Sequence, residues 1–371
     1  MAGCVPTPLG RRPNDAVELG ARRTCGGGVC RPPLAPGRDA LTDGVLLAST
    51  QRATIAWPGS SKAIKGEAMT RLAVFDVGGT AIKYCAMEGT QIQLQGETPT
   101  PDPESHDPEP FLATLERIIA ELGPVEGVAL SVPGVVDVDA RYLHTGGALT
   151  YNFNVDVTEW ERRFGLPVEV ENDARCSTMA ELAVGNLQGV TNGAVLTFGT
   201  GIGGGAVVNG ELFKGSHLYS GEASMMYFKT PRRDSELRDD GAWSTACSTT
   251  GMCRRLTEAK GIEECDGRQL FAWLEAGDEV TERVFRAVCD DIAIQIHNIQ
   301  CWLDPERICL GGGISRNPLF IEGVRAAHRR FNAELLYAFP EVELETCKFF
   351  NEANLIGAYQ HFVRMREKRG A

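Results

Sequence analysis

No apolar run in this 371-residue chain reaches the length needed to cross a bilayer, which excludes an ordinary spanning helix. Paired cysteine motifs are missing too. The twelve cysteines are scattered, none stands in a CxxC pair, and neither Cys25/Cys30 nor Cys247/Cys253 joins a second cluster at zinc spacing. Several of them, such as Cys85, Cys301 and Cys309, lie in apolar runs and read as small core residues, and a reducing cytosol is the simplest setting. An excess of positive charge is lacking. The net charge of -12 excludes a chain built as a whole to coat nucleic acid or an anionic membrane. No helix-turn-helix pattern is visible, which argues against a DNA-binding arm.

What is present is a chain long enough for two domains, or one split domain, with a sizeable core. Residues 1–68 stand apart. They are rich in Gly, Pro and Arg, and their nine Lys/Arg against five Asp/Glu leave 28 against 44 for the remainder. They read as a disordered extension, either a targeting tail or an upstream segment outside the working protein. The second reading is preferred, because Met69 stands directly before the first strand as a natural start.

The organising stretch runs from Glu171 to Gly205. A strand over Leu166–Val170 hands over to a helical pattern, Thr178 to Ala183, and Asp173 sits at the junction, where carboxylates project into the cleft at strand ends. The strand Gly193–Phe198 ends in Gly199-Thr-Gly-Ile-Gly-Gly-Gly205, where bare backbone can approach a ligand and N–H groups favour an anion. A carboxylate base and a phosphate cradle, each at a strand end, point to phosphoryl transfer onto a hydroxyl. An earlier turn, Asp76-Val-Gly-Gly-Thr80, joins strands Leu72–Phe75 and Ala81–Ala86. It offers N–H groups, a hydroxyl and a carboxylate to a metal–phosphate, with Lys83 as a further cation. A third glycine turn, Gly311 to Pro318, follows the strand Arg307–Leu310 and could let backbone pack against adenine or ribose.

Between these lie a helix over Phe111–Leu122, a strand Val128–Val132 turning at Pro133-Gly134, a short helix Val155–Phe164, and a hairpin turning at Asn209-Gly210. A loop, Gly215–Tyr227, holds His217, Glu222 and the pair Met225-Met226, which reads as packing. Residues 229–241 are charged and expected to be exposed. A helix is expected over Ala246–Leu256. Asp278 caps a long helix to Leu303, with an apolar stripe of Val280, Val284, Val288, Ile292, Ile296, Ile299 and Trp302. His297 beside that stripe reads as structural. Glu341–Phe350 is expected as a last strand and Asn351–Lys368 as a closing helix.

In this order the motifs resemble the ROK family of repressors, open reading frames and kinases. The matching residues are Asp76 to Thr80 with Lys83, Ser131 to Asp137, Glu171 to Ala174, Gly199 to Gly205, Gly221-Glu222 and Leu310 to Ser315. The resemblance spans about residue 70 to the end. It implies an α/β chain with a duplicated actin-like ATPase (ribonuclease H-like) fold of two lobes, about 69–190 and 191–371, with ATP and sugar in the cleft. The closing helix, about 353–368, would pack back on the first lobe. Asp173 is implied as the base on a sugar hydroxyl. Gly134, Asn172 and Glu222 are implied around the sugar. Asp76, Gly78, Gly79, Thr80, Lys83, Thr200, Gly201 and Gly203 are implied at the phosphates, and Gly312 and Gly313 at the nucleotide wall.

Two departures stand out. Met225 occupies a position that is often His in the family. The usual three-cysteine zinc cluster is absent near Gly241 to Ser244, and Ser244 stands near where a sugar-binding Glu would fall. The chain is therefore similar to the zinc-lacking branch, with β-glucoside kinases and glucokinase-like members. It is expected to use ATP with Mg²⁺, to hold no structural zinc, to bind neither nucleic acid nor membrane, to be cytoplasmic and to pair as a homodimer. The expected activity is ATP-dependent phosphorylation of a hydroxyl on a hexose or hexoside. Alternatives are a kinase for N-acetylmannosamine or another amino sugar, and a sugar-sensing regulator without turnover. Each residue also has a plainer reading: Asp173 as a helix cap, Asp76 as a turn closer, Glu222 as a surface residue.

Overall fold

The computed structural model describes residues 70–230 and 241–370. The expectations for residues 1–68 and for most of 229–241 fall outside the described residues. The chain begins with β1 (Arg71–Val77), β2 (Ala81–Glu88) and β3 (Gln91–Pro99), followed by α1 (Glu109–Leu122) and β4 (Gly127–Val132). Three two-residue strands follow, β5 (Val136–Asp137), β6 (Tyr142–Leu143) and β7 (Val155–Asp156). Next come α2 (Val157–Phe164), β8 (Val168–Asn172) and α3 (Asp173–Val184). A second series opens with β9 (Gly193–Phe198), β10 (Ile202–Val208) and β11 (Glu211–Phe213). It continues through α4 (Trp243–Cys247), α5 (Thr249–Lys260), α6 (Gly267–Glu275) and α7 (Glu279–Leu303). It closes with β12 (Arg307–Gly311), α8 (Pro318–Glu334), β13 (Glu343–Thr346) and α9 (Ala353–Arg369).

The two series build the same sheet twice. The first has the order β3-β2-β1-β4-β8, and the second β11-β10-β9-β12-β13. In each, the first three strands are antiparallel neighbours, and the last two run parallel to the first. Parallel strands covered on both faces need continuous apolar runs, and Leu72 to Phe75 and Val128 to Leu130 are all fully buried. The carboxyl ends of β1, β4 and β8 therefore share one edge, as do those of β9 and β12, and the ligand crevice of such sheets lies at those edges.

On one face of the first sheet, α1 and α2 bury Phe111, Leu115, Ile118 and Trp160. The other face is covered by α3 and by the last helix. Leu72, Val74 and Ala129 of the sheet pack with Cys176, Ala180, Leu355, Ile356, Tyr359 and Phe362. The second sheet carries α4 to α8 over a core that includes Phe198, Trp243, Ile292, Ile296, Leu310 and Phe320.

Asp278 caps α7, accepting from the Thr281 N–H at 2.8 Å. Val288, Ile292 and Ile296 are buried on it as expected, but Trp302 is 93% exposed. Trp302 lies six residues past Ile296, about 240° round a helix of ~3.6 residues per turn, and so leaves the apolar face. Cys301 is exposed for the same reason, while Cys85 and Cys309 are fully buried. Met225 is 61% exposed and does not pack, unlike Met226, which rests against the second core. The expected helix over 246–256 is two helices. Ser248 ends α4 and caps α5, its hydroxyl accepting from the Gly251 N–H at 3.1 Å. The last strand is only Glu343–Thr346, the four residues that pair with β12. His297 is structural, wedged between Phe331 and Phe339 with ring centroids 5.1 and 4.6 Å away.

Helices α3 and α9 meet backbone to backbone. A Cβ at Gly357 of α9 would lie 1.8 Å from the Cys176 carbonyl oxygen of α3. Gly357→Ala must push the helices apart. Overpacking of this kind costs about 1–3 kcal/mol. A lowered urea midpoint with an unchanged m-value is the expected outcome; an unmoved midpoint would refute the contact.

Candidate active site

Strand β8 ends at Asn172 and α3 begins at Asp173. The helix cap is Asn172 rather than Asp173. The Asn172 side chain accepts from the Arg175 N–H at 3.2 Å, while its amide donates to the Gly134 carbonyl at 3.0 Å. Asn172 thereby ties the helix start to the Pro133-Gly134 corner. Gly134 has φ +101°, and a Cβ there would lie 2.0 Å from the Thr145 carbonyl oxygen, so only glycine fits. The Asp173 carboxylate accepts from the Ala174 N–H at 2.8 Å.

Burial pushes the Asp173 carboxyl up to about 6, against the Ala174 N–H and the Asn172 amide, which hold it down. The nearby Asp76 and Glu222 carboxylates add to the rise. Acids from β1 and from the loop after β11 therefore both bear on Asp173 at the start of α3. Asp76 accepts from the Ser131 hydroxyl at 3.0 Å and from the Asn354 amide at 2.9 Å. Burial raises its carboxyl, and those two hydrogen bonds and the charge of Lys83 oppose the rise. Lys83 stands opposite Asp76 in the β1–β2 ladder. Burial likewise raises Glu222, and the Arg175 guanidinium opposes it.

The glycine turns are anchored separately. Gly78 accepts from the Thr100 hydroxyl at 2.6 Å, and Thr80 accepts from the Thr100 N–H at 3.0 Å. Gly79 and Thr80 are exposed beyond that anchor. In the second turn, Gly199 accepts from the Thr249 N–H at 2.9 Å, and the Ser244 hydroxyl accepts from the Ile202 N–H at 2.9 Å. Ser244 thus braces this turn. Thr200 and Gly201 are exposed at its tip. Gly312, at φ +89°, packs so closely that a Cβ would lie 2.2 Å from the Phe198 carbonyl oxygen. The third turn therefore lies against the second. Space remains above both: a Cβ built on Gly199 or Gly313 meets nothing within 4 Å.

Asp173 is brought to the second turn by packing. A Cβ at Gly203 would lie 2.8 Å from the Ala174 Cβ, and one at Gly205 would lie 2.1 Å from the Thr178 hydroxyl. Helix α3 of the first series thus lies on β10 of the second. His217 is exposed and touches none of these groups in the contacts observed.

Sequence reasoning missed four supporting residues. Ser131 and Asn354 hold Asp76. Lys214 meets the fully buried Glu171 at 2.5 Å, and Arg175, 1% exposed, reaches Glu222 at 3.2 Å. For Arg175 a signal existed: an arginine amid Ala, Cys, Ser, Thr and Met in a helix with no polar face implies a buried, paired charge.

A family model for the ROK family matches residues 72–364. The β-glucoside kinase of Listeria monocytogenes is 33% identical over 300 residues, covering 79% of this chain and 98% of that protein. The β-glucoside kinase of Klebsiella pneumoniae is 31% identical, covering 80% and 97%. A crystal structure of a ROK family protein from Streptococcus pneumoniae TIGR4 in complex with sucrose superposes with a TM-score of 0.72 at 30% identity, covering 80% and 99%. The chain belongs to the ROK family, and its twice-built sheet is the duplicated actin-like ATPase fold of that family's kinases.

The electrostatics of the acid cluster give a check independent of any reaction. Glu222→Gln removes a like charge, so the Asp173 carboxyl should titrate lower than in the parent. Carbon-13 NMR of the aspartate carboxyls would show the downward move; an unmoved titration would mean the two groups do not face one another.

Proposed function

We propose that the protein is a sugar kinase that transfers a phosphoryl group from ATP to a hydroxyl of a hexose or hexoside. The observation that carries this reading is the seating of Asp173 beside β10 and the Gly199–Gly201 turn that leads into it, through the Ala174–Gly203 contact, with its carboxyl raised toward neutrality. A base works best when its acidity lies near the operating pH, and a positioned one contributes about 10²–10⁴-fold. The relatives named as β-glucoside kinases support the substrate class.

In this reading Asp173 orients the acceptor hydroxyl and takes its proton at the carboxylate. Asn172, the Gly134 corner and Glu222 hold the sugar. The exposed Gly79-Thr80 and Thr200-Gly201 tips, with Lys83, receive the phosphates, and the space beside Gly199 and Gly313 takes the nucleotide. The fit for an anion is good: open, side-chain-free backbone at the carboxyl edges of two sheets. Mg²⁺ arrives with the nucleotide and supplies charge neutralisation. Little covalent chemistry falls to the protein; positioning and electrostatics carry the catalysis.

Structural zinc forms no part of this reading. The segment about Gly241 to Ser244 is filled by Trp243, fully buried and edge-on to Phe198 at 6.0 Å. A homodimer in the cytoplasm completes the proposal. The exposed Trp302, Leu336 and Tyr337 of the second half support an apolar contact between copies, and light scattering after gel filtration tests it.

The main test is a panel of glucose, cellobiose, N-acetylmannosamine, N-acetylglucosamine and allose with ATP-Mg²⁺, reading ADP release. Turnover with a hexose or β-glucoside is expected. Preference for an amino sugar would redirect the substrate, and sugar binding without any ADP release would replace the kinase with a regulator. Asp173→Asn should fold normally and bind sugar while losing about 10²–10⁴-fold in kcat; near-normal turnover removes the base. The carboxylate is the working form. The free protein's kcat/KM should therefore fall with acidification through about pH 6, where the Asp173 carboxyl takes up its proton. A profile flat to pH 5 would count against it.

A further inference from the structure

We infer that Arg175 is a positioning residue for the sugar site: its buried guanidinium fixes Glu222, and with it the sugar-facing loop, relative to Asp173. The inference rests on the sugar-kinase reading and assigns a role to a residue that reading leaves unused.

Arg175 sits in the first turn of α3, two residues beyond Asp173, and is 1% exposed. A guanidinium cannot shed its charge, so burial this complete requires a counter-ion. Glu222 provides it, with Nη2 3.2 Å from Oε1. The same Nη2 donates to the Leu218 carbonyl, four residues earlier in the loop. One nitrogen thus holds the loop at both its side chain and its backbone. Gly221 has φ +82°, and a Cβ there would lie 2.8 Å from Gly205 Cα. The peptide beside Glu222 therefore lies directly on β10. Glu222 can turn only about its own side-chain torsions, and Arg175 settles those.

A second ion pair runs the other way. Lys214, at the start of the same loop, meets Glu171 at 2.5 Å, just before Asn172-Asp173. His361 lies 3.8 Å from the same carboxylate oxygen. Burial pushes that imidazole down to about 4, so it stays neutral near pH 7 and leaves Lys214 as the charged partner. The motif gives an anion to the loop at Glu171, and the loop gives one back at Glu222. Lys214–Glu171 sets where the loop starts; Arg175–Glu222 sets where its working carboxylate points. A purely structural ion pair would affect stability alone. A positioning pair also changes how well the sugar is held, while leaving the nucleotide side untouched.

The test uses the full chain with the best substrate of the sugar panel. Arg175→Ala is expected to raise the sugar KM about 10- to 100-fold, the worth of a charged hydrogen bond, while the KM for ATP stays within twofold. Added guanidinium chloride, at tens of millimolar, should restore much of the loss in Arg175→Ala and none in the parent. Glu222→Gln should match it, and the double variant should be no worse than either single one, since both break the same link. An unchanged sugar KM, additive losses, or equal losses toward sugar and ATP would each overturn the assignment. Should Arg175→Ala fail to fold, Arg175→Lys replaces it. Its ammonium, on a shorter stem, cannot reach the place from which Nη2 serves both Leu218 and Glu222, and an unchanged sugar KM there would overturn the proposal equally. If the parent turns over no sugar, the kinase reading fails by itself; sugar binding by calorimetry, parent against Arg175→Ala, then decides this one. No sugar binding by the parent sinks both.

Discussion

The depth at which helix α3 sits governs everything around it. Its Cys176 carbonyl lies where residue 357 would put a Cβ, and its Ala174 and Thr178 lie where residues 203 and 205 would put theirs. Three glycines on two different elements are cut to one helix. The helix is pressed from one side by α9 and from the other by β10, and it cannot slide without a backbone clash. Asp173 is the first residue of that helix, so its location follows from packing rather than from any hydrogen bond of its own. The acid cluster is a consequence: burial in that seat brings Asp76 and Glu222 within electrostatic range and lifts the carboxyl toward neutrality.

Around that seat the protein manages an awkward excess of negative charge. Asp76, Asp173, Glu171 and Glu222 converge, and the chain answers each differently. Asp76 is hydrogen-bonded by neutral groups, Ser131 and Asn354, and stands across the ladder from Lys83. Glu171 and Glu222 are matched with cations that come from the opposite segment in each case. Among the described residues Asp173 alone receives no cation, only the N–H of Ala174 and the Asn172 amide. A carboxylate left in that condition is the one whose basicity rises, which suits it to accept a proton.

Much of this was legible in the sequence, and the illegible parts have a common cause. The glycine turns could be read because each requires a backbone conformation or a close approach that side chains forbid. The long α7 helix could be read because Asp278 caps it and its valines and isoleucines keep helical step. Trp302 misled because hydrophobicity continued after the geometry had turned it outward. Strand β3 escaped because an edge strand of Gln, Leu and Gly carries little apolar signal, and β5 to β7 because two-residue strands have no period at all. Ser131, Lys214 and Asn354 were silent, and Arg175 signalled its burial but not its partner, for another reason. Their partners lie 55, 43, 278 and 47 residues away along the chain, and no local pattern encodes a pairing between distant segments.

The cover of the first sheet also has a temporal side. Leu72, Val74 and Ala129 belong to strands made before the second sheet, yet the face they form is closed by Leu355, Ile356 and Phe362, which follow that whole sheet in the chain. During synthesis that face must wait, greasy and uncapped, while the whole second sheet is assembled behind it. The N-terminal half therefore cannot mature as an independent unit on the ribosome. The acid cluster shares that dependence, since Asn354, which steadies Asp76, arrives on the same closing segment. A ribosome that stalls before α9 leaves behind a chain with both glycine cradles complete and its chemistry unassembled.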